Sequence, residues 1–260
     1  DRADAHTRNK LGFSILQIVR ENPKELLISG ELVRHPQGIL HLTQFTQAAM
    51  ATLARAQVAE LRESGVFVED AISCGHSVGE YNAIGAVLEV LPLEETIEVV
   101  YRRGLSMHSL VERDAQGRSA YRMGVIRPHY AGMSHADAEE LVQRIGAERG
   151  LFLQIVNYNV IGRQYSVTGE IRALELLQSE LARRTAGSKP AYVEVPGIDV
   201  PFHSRLLEPG VPNFRAALEA ALPAAIDPGR LVGRYIPNLT ATPFRMDQDY
   251  VREILEVVES

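Results

Sequence analysis

The pentapeptide Gly75-His76-Ser77-Val78-Gly79 constrains this chain more than any other feature, because it sets a serine between an apolar run and a helix pattern. Residues 66–74 ahead of it are apolar and partly β-branched, which predicts a buried strand; residues 80–87 behind it predict a helix. A serine on such a strand-to-helix turn is held in a strained conformation with its Oγ exposed. Glycines on both sides let strand and helix approach without a Cβ clash. The helix N-terminus brings free N–H groups to the place where an acyl oxyanion would form.

The rest of the composition mainly excludes. Of 260 residues, 45% are hydrophobic and 23% charged, enough for a core without disorder, and the net charge of −6 gives no basis for binding nucleic acid or an anionic membrane. The single cysteine, Cys74, rules out an internal disulfide framework and fits a reducing compartment. At the end of the predicted elbow strand it reads as a small buried hydrophobe. No apolar run reaches the ~20 residues that span a bilayer, and no signal peptide opens the chain. A soluble, cytoplasmic protein is expected. Both ends read as cut: the start lies in a polar segment, and the end in an uncapped amphipathic helix pattern from Tyr250 to Val258.

Apolar residues at helical spacing (Phe45, Met50, Leu53, Val58, Leu61) predict a long helix over 43–64, and a second helix is predicted over 93–110. From Tyr121 the pattern becomes strand 122–127, helix 136–147, strands 151–157 and 164–168, helix 171–184 and strand 191–195. That βαββαβ order is the ferredoxin-like signature. The predicted organisation is therefore α/β: an α/β-hydrolase-like body with a mainly parallel sheet, formed by 1–120 and 197–260, with a ferredoxin-like insert at 121–196.

Ser77 needs a base, since a serine hydroxyl at its free pKa is a poor nucleophile. Of eight histidines, His203 is the best candidate, following the apolar Val200-Pro201-Phe202 and lying downstream of the serine. His6, His35, His41, His129 and His135 lie in polar contexts and read as solvated. His76 adjoins the nucleophile, but neighbours on a tight turn point apart, so it reads as pocket lining. A third triad member is not evident; Asp199, four residues before His203, is a weak candidate for orienting the imidazole, and a backbone carbonyl could do the same. Arg102 and Arg103 are either two solvated helix arginines or a pair of which one turns inward to hold a substrate carboxylate. The pattern alone leaves that open.

The run Gly75-His76-Ser77-Val78-Gly79-Glu80-Tyr81, then Arg103-Gly104 with Met107, Val156-Asn157-Tyr158-Asn159, and Pro201-Phe202-His203-Ser204 resembles the acyl-carrier-protein S-malonyltransferase family. The resemblance covers nearly the whole chain. The wording around Gln47, of 195–204 and of 233–239 is similar to one branch, the malonyl/palmitoyl transferase domain of actinobacterial and fungal type I fatty acid synthases. It implies Ser77 as acyl-accepting nucleophile, His203 as base and acid, Arg103 on the malonyl carboxylate and the Val78 N–H as oxyanion donor. It further implies that Asn238 orients the histidine through its main-chain carbonyl, so a missing triad carboxylate is expected. Gln47 matches a glutamine near the family's active site, and Phe202 resembles the malonyl-selective type. The family opens with a strand and a Gly-Gln-Gly turn that supplies a second oxyanion donor, and by this resemblance the chain begins downstream of it.

The resemblance thus implies malonyl (and palmitoyl) transfer between CoA and the phosphopantetheine thiol of an acyl carrier protein. It implies a large homo-oligomeric synthase whose other domains use NADPH and FMN, with no cofactor in this segment. The rival readings are a serine esterase or thioesterase, which would more often carry a triad carboxylate, and a catalytically incomplete structural segment of a synthase.

Overall fold

The computed structural model describes residues 1–259. The chain opens with a short helix α1 (Arg2–His6), which runs into a π-helical turn, and α2 (Ile15–Glu21), capped by Ser14, whose Oγ accepts from the Gln17 amide. Strands β1 (Glu25–Ile28) and β2 (Glu31–Arg34) form an antiparallel hairpin. Its turn has positive φ at both Ser29 and Gly30, matching the right-handed twist of the strands.

The site is seated on a pair of long helices, α3 (Thr43–Glu63) and α5 (Leu93–Ser109). They touch backbone to backbone at Gly104, where an added Cβ would lie 2.4 Å from the Gln44 Cα. This contact explains which face of α3 is buried. Gln44, Gln47, Ala48 and Ala51 are buried there, while Met50, Leu53 and Leu61, expected in the core from their spacing, are exposed. Phe13 packs edge-to-face on Phe45 and tilted on Tyr101, with ring centroids 5.1 and 5.2 Å away. Between the two helices runs the short α4 (Val78–Asn82), continued by a π-helical turn, Ala83–Val87.

A second core lies around a four-stranded antiparallel sheet of β3 (Tyr121–Ile126), β4 (Leu153–Val160), β5 (Gln164–Glu170) and β6 (Tyr192–Glu194), in the order β4-β5-β3-β6. Helices α6 (His135–Arg149) and α7 (Ile171–Arg184) join alternate strands. Their Leu141, Val142, Leu174 and Leu177 pack with Ile126, Tyr165 and Val167 of the sheet. Ser134 and Asp137 form a capping box at the start of α6. The chain finishes with α8 (Val211–Ala221) and α9 (Gln248–Glu259). Among the described residues no helix is long and apolar enough to cross a membrane.

The architecture is α/β, but the mainly parallel sheet expected of the body is not formed among the described residues. Both sheets are antiparallel, and the one parallel pairing is a bridge between Ser73 and Tyr235. The elbow strand read over 66–74 shrinks to that bridge, in which the Ser73 amide donates to the Arg234 carbonyl at 2.7 Å and the Ile236 amide to the Ser73 carbonyl at 3.0 Å. Strand propensity needs a ladder on which to act. Here it finds a single partner, and Val66, Val68 and Ile72 stay exposed. Cys74 is exposed as well, contrary to its reading as a buried hydrophobe.

Candidate active site

Ser77 sits at the N-cap of α4 with φ 55° and ψ −114°, a conformation strained for any residue with a side chain. Packing holds it there. A Cβ on Gly75 would fall 2.1 Å from the carbonyl group of Gly79, so only glycine lets the chain fold back on itself this tightly. Gly79 itself has open space beside it, so the steric demand rests on Gly75 alone. The Gly79 and Glu80 amides donate to the His76 and Ser77 carbonyls. Among the described residues the Val78 amide has no hydrogen-bond acceptor, and Val78 lines the cleft.

Two groups converge on the Ser77 Oγ. His203 Nε2 lies 3.0 Å from it, and Arg103 Nη2 donates to it at 3.0 Å. Arg103 Nη1 donates to Gln47 Oε1 at 2.7 Å, and Gln47 is held in turn by donation to Thr43 Oγ1 at 2.8 Å. The guanidinium also lies 5.4 Å from the centre of the Tyr81 ring. Arg103 is thus the inward member of its pair; Arg102 is half-buried and faces Glu98 at 3.5 Å. Burial holds the Arg103 pKa below its ordinary value, partly offset by Tyr81 and Glu80. A buried cation whose bonds go to neutral oxygens is matched to an incoming anion.

Burial, followed by the charges of Arg103 and His76, pushes the His203 pKa down to about 4. The neutral imidazole able to accept the serine proton therefore persists well into the acid range. The acid limb of a kcat/KM profile is expected near pH 4 rather than near the ordinary histidine value of about 6.5. A profile already falling at 6.5 would contradict this environment for His203. The same shift has a stability consequence of fixed sign. The unfolded chain takes up this proton at about pH 6.5 while the folded chain resists until about 4, so stability is lost as pH falls through that window. His108, also pushed down to about 4 by burial, acts in the same direction.

The other residues singled out in the sequence divide. His76 and Phe202 line an apolar-walled cavity of about 380 Å³ that opens at Ser77 and extends past Met50 and Met123. Asn238 lines a second cleft at Ser77, beside Tyr81 and Asn157, where its Nδ2 donates to the Gly75 carbonyl at 2.5 Å and its amide to Glu80 Oε1 at 2.9 Å. Asp199 makes no hydrogen bond to the His203 imidazole. Its carboxylate is taken by both Nη atoms of Arg113, 86 residues away, and faces His35 Nε2 at 3.4 Å. His35, read as solvated, is buried and stacked on His41 with ring centroids 5.3 Å apart. His6, His41, His129 and His135 are half-buried rather than free in solvent. Sequence reasoning gave no role to Tyr81 or Glu80. Their signal was present, since both fall within one helical turn of Ser77.

Residues 1–194 match the family model described as the acyl transferase domain. The whole chain aligns with the fatty acid synthase beta subunit stcK of Emericella nidulans at 32% identity and with the fatty acid synthase subunit beta of Saccharomyces cerevisiae at 30%. It spans 17% of the length of each. Among solved structures the fold is similar to FabD from Acinetobacter baumannii, with TM-score 0.68 and 23% identity over 98% of this chain and 69% of that one. It is also similar to the malonyl CoA-acyl carrier protein transacylase of Coxiella burnetii, with TM-score 0.69 and 21% identity over 98% and 70% of the two chains. With its family model matched over three quarters of its length and synthase subunits aligned along all of it, this chain belongs to the acyl transferase domain family.

Proposed function

We propose that this chain is the acyltransferase segment of a multifunctional fatty acid synthase and moves malonyl groups, and in the reverse sense long acyl groups, between CoA and the phosphopantetheine thiol of an acyl carrier protein. The observation that carries the reading is the convergence of His203 and the buried Arg103 on one serine oxygen. His203 Nε2 takes the Ser77 proton as Oγ bonds to the thioester carbon. The oxyanion accepts from the Val78 amide. Collapse breaks the C–S bond, and the imidazolium gives its proton to the departing CoA sulfur. The carrier thiol then repeats the sequence in reverse, with His203 first as base and then as acid.

Arg103 would trade its bond to Ser77 for two bonds to the malonyl carboxylate, with Gln47 keeping the guanidinium plane aligned. His76 and Phe202 would shape the acyl cavity. Asn238 would offer its carbonyl to the histidine, held in place by its bonds to Gly75 and Glu80. The absence of a carboxylate on His203 among the described residues supports transfer over the esterase reading. The four-stranded unit is read as a ferredoxin-like insert at 121–196 between body segments 1–120 and 197–260. No cofactor is assigned to this segment; NADPH and FMN would serve other domains of a cytoplasmic, homo-oligomeric synthase.

The test is to incubate the chain with malonyl-CoA or acetyl-CoA, then add a pantetheine thiol, following the adduct by intact mass. Malonyl loading with transfer to the thiol faster than hydrolysis is the expected result; rapid hydrolysis would favour the esterase. Arg103→Ala should lower malonyl loading by roughly 10²-fold, as expected for a lost charge-assisted pair of about 3 kcal/mol, while acetyl loading changes little. Equal losses for both donors would remove the carboxylate role.

A further inference from the structure

His203 is carried by segment 195–204, which joins the four-stranded sheet to the body without belonging to a strand or helix. Its backbone there is strained, with φ 59°. Residues 200–204 are knotted together by local bonds: the Phe202 amide to the Val200 carbonyl at 2.8 Å, and the Ser204 Oγ to the Pro201 carbonyl at 2.7 Å. Such a knot moves as one piece. It is anchored by the fully buried Val200, which packs with Val111 and Leu207, and at its leading end, where the buried Asp199 is gripped by Arg113 from the loop after α5.

The grip extends further into the body. Arg113 Nη1 also donates to the Gly117 carbonyl at 2.8 Å, and Gly117 approaches β2 so closely that a Cβ would lie 2.6 Å from the Arg34 carbonyl. On the other side, the Gln37 amide donates to His35 Nδ1 at 3.2 Å, which assigns the ring proton to Nε2, the atom facing Asp199. His35 stacks on His41, whose Nδ1 would be 3.1 Å from a Cβ on Gly197. Asp199 therefore joins the hairpin end, the loop after α5 and the His203 segment at one carboxylate.

We propose that Asp199, clamped by Arg113 and His35, is a positioning residue that fixes His203 against Ser77. The proposal rests on the Ser77–His203 pair of the functional reading and goes beyond it. A displacement of about 1 Å at a reacting pair costs on the order of 10²-fold in rate. Losing the clamp should slow every reaction of Ser77 that needs its base, whether or not the substrate carries a carboxylate.

The experiment measures the labelling rate of the full chain with an alkyl fluorophosphonate. In that reaction Oγ bonds to phosphorus, the P–F bond breaks, and the serine proton leaves through His203. Asp199→Asn and Arg113→Lys are expected to slow labelling by roughly 10- to 100-fold. Asp199→Glu, which restores the charge, should recover part of the loss, and His35→Gln should slow labelling less. Leu177→Ala, which opens a cavity in the sheet core, controls for general destabilisation and should label at the wild-type rate. Wild-type labelling in folded Asp199→Asn would overturn the proposal. If that variant does not fold, wild-type rates in both Arg113→Lys and His35→Gln would overturn it, as would an equal loss in Leu177→Ala. If the native chain is not labelled at Ser77, the functional reading falls and the proposal falls with it; labelling of the native chain with indifferent variants removes the proposal alone.

Discussion

Ser77→Ala and His203→Ala are each expected to leave the chain folded and to lower acyl transfer by about 10⁴- to 10⁶-fold, with no acyl adduct in either. Neither residue carries the core. Ser77 is half-buried on a turn and His203 is exposed, so neither truncation leaves a large cavity. The two losses should not add. Once the 3.0 Å contact is broken from one side, the surviving partner has nothing left to activate, and the double variant should resemble either single one. A mass measurement after brief exposure to malonyl-CoA reads the adduct directly. An adduct that survives in Ser77→Ala would move the nucleophile elsewhere.

Gly75→Ala is expected to damage activity as well, through geometry alone. The added methyl would meet the Gly79 carbonyl at 2.1 Å and the Glu80 amide at 2.5 Å, and both are backbone that no rotamer change can clear. Relief requires the elbow to open. That would shift Ser77 away from His203 and Arg103 and break the donation from Asn238 to the Gly75 carbonyl. The stability cost is expected at about 3 kcal/mol, the upper part of the range for overpacking, read from denaturant unfolding. The loss of serine labelling should be at least ~10²-fold. Gly79→Ala meets nothing within 4 Å and should be mild, which makes it the matched control.

The convergence of Ser77, His203 and Arg103 was legible because their side-chain types are scarce in such contexts and because the elbow motif fixes a backbone shape. The choice between Arg102 and Arg103 was not, since helical neighbours differ only in phase. The phase is set by Gly104, whose missing side chain marks the face of α5 that meets α3. The direct partner of Asp199 was not legible either. Nearness to His203 in sequence suggested a partner, whereas a buried carboxylate takes whichever cation the fold delivers, here Arg113. The helices and strands of 121–196 followed their periodicities closely, because each element buries one clean face in a core of its own. The run at 66–74 failed because strand formation depends on a neighbour that local pattern cannot supply. The hairpin at Glu25–Arg34 was missed although Ser29-Gly30 between two short apolar runs is a recognisable turn signal.

Ser77 rests on the helices of one core, while His203 hangs from a segment that leaves the sheet of the other. Their separation is therefore a dimension of neither core by itself. It works like the gap of a caliper, whose setting depends on how two independently solid jaws are joined. A change that only tilts the sheet could reset that gap without altering a single group in the cleft. Tolerance to substitution should then be lowest along the joint between the jaws, including at Arg113, which lies outside the cavity lining.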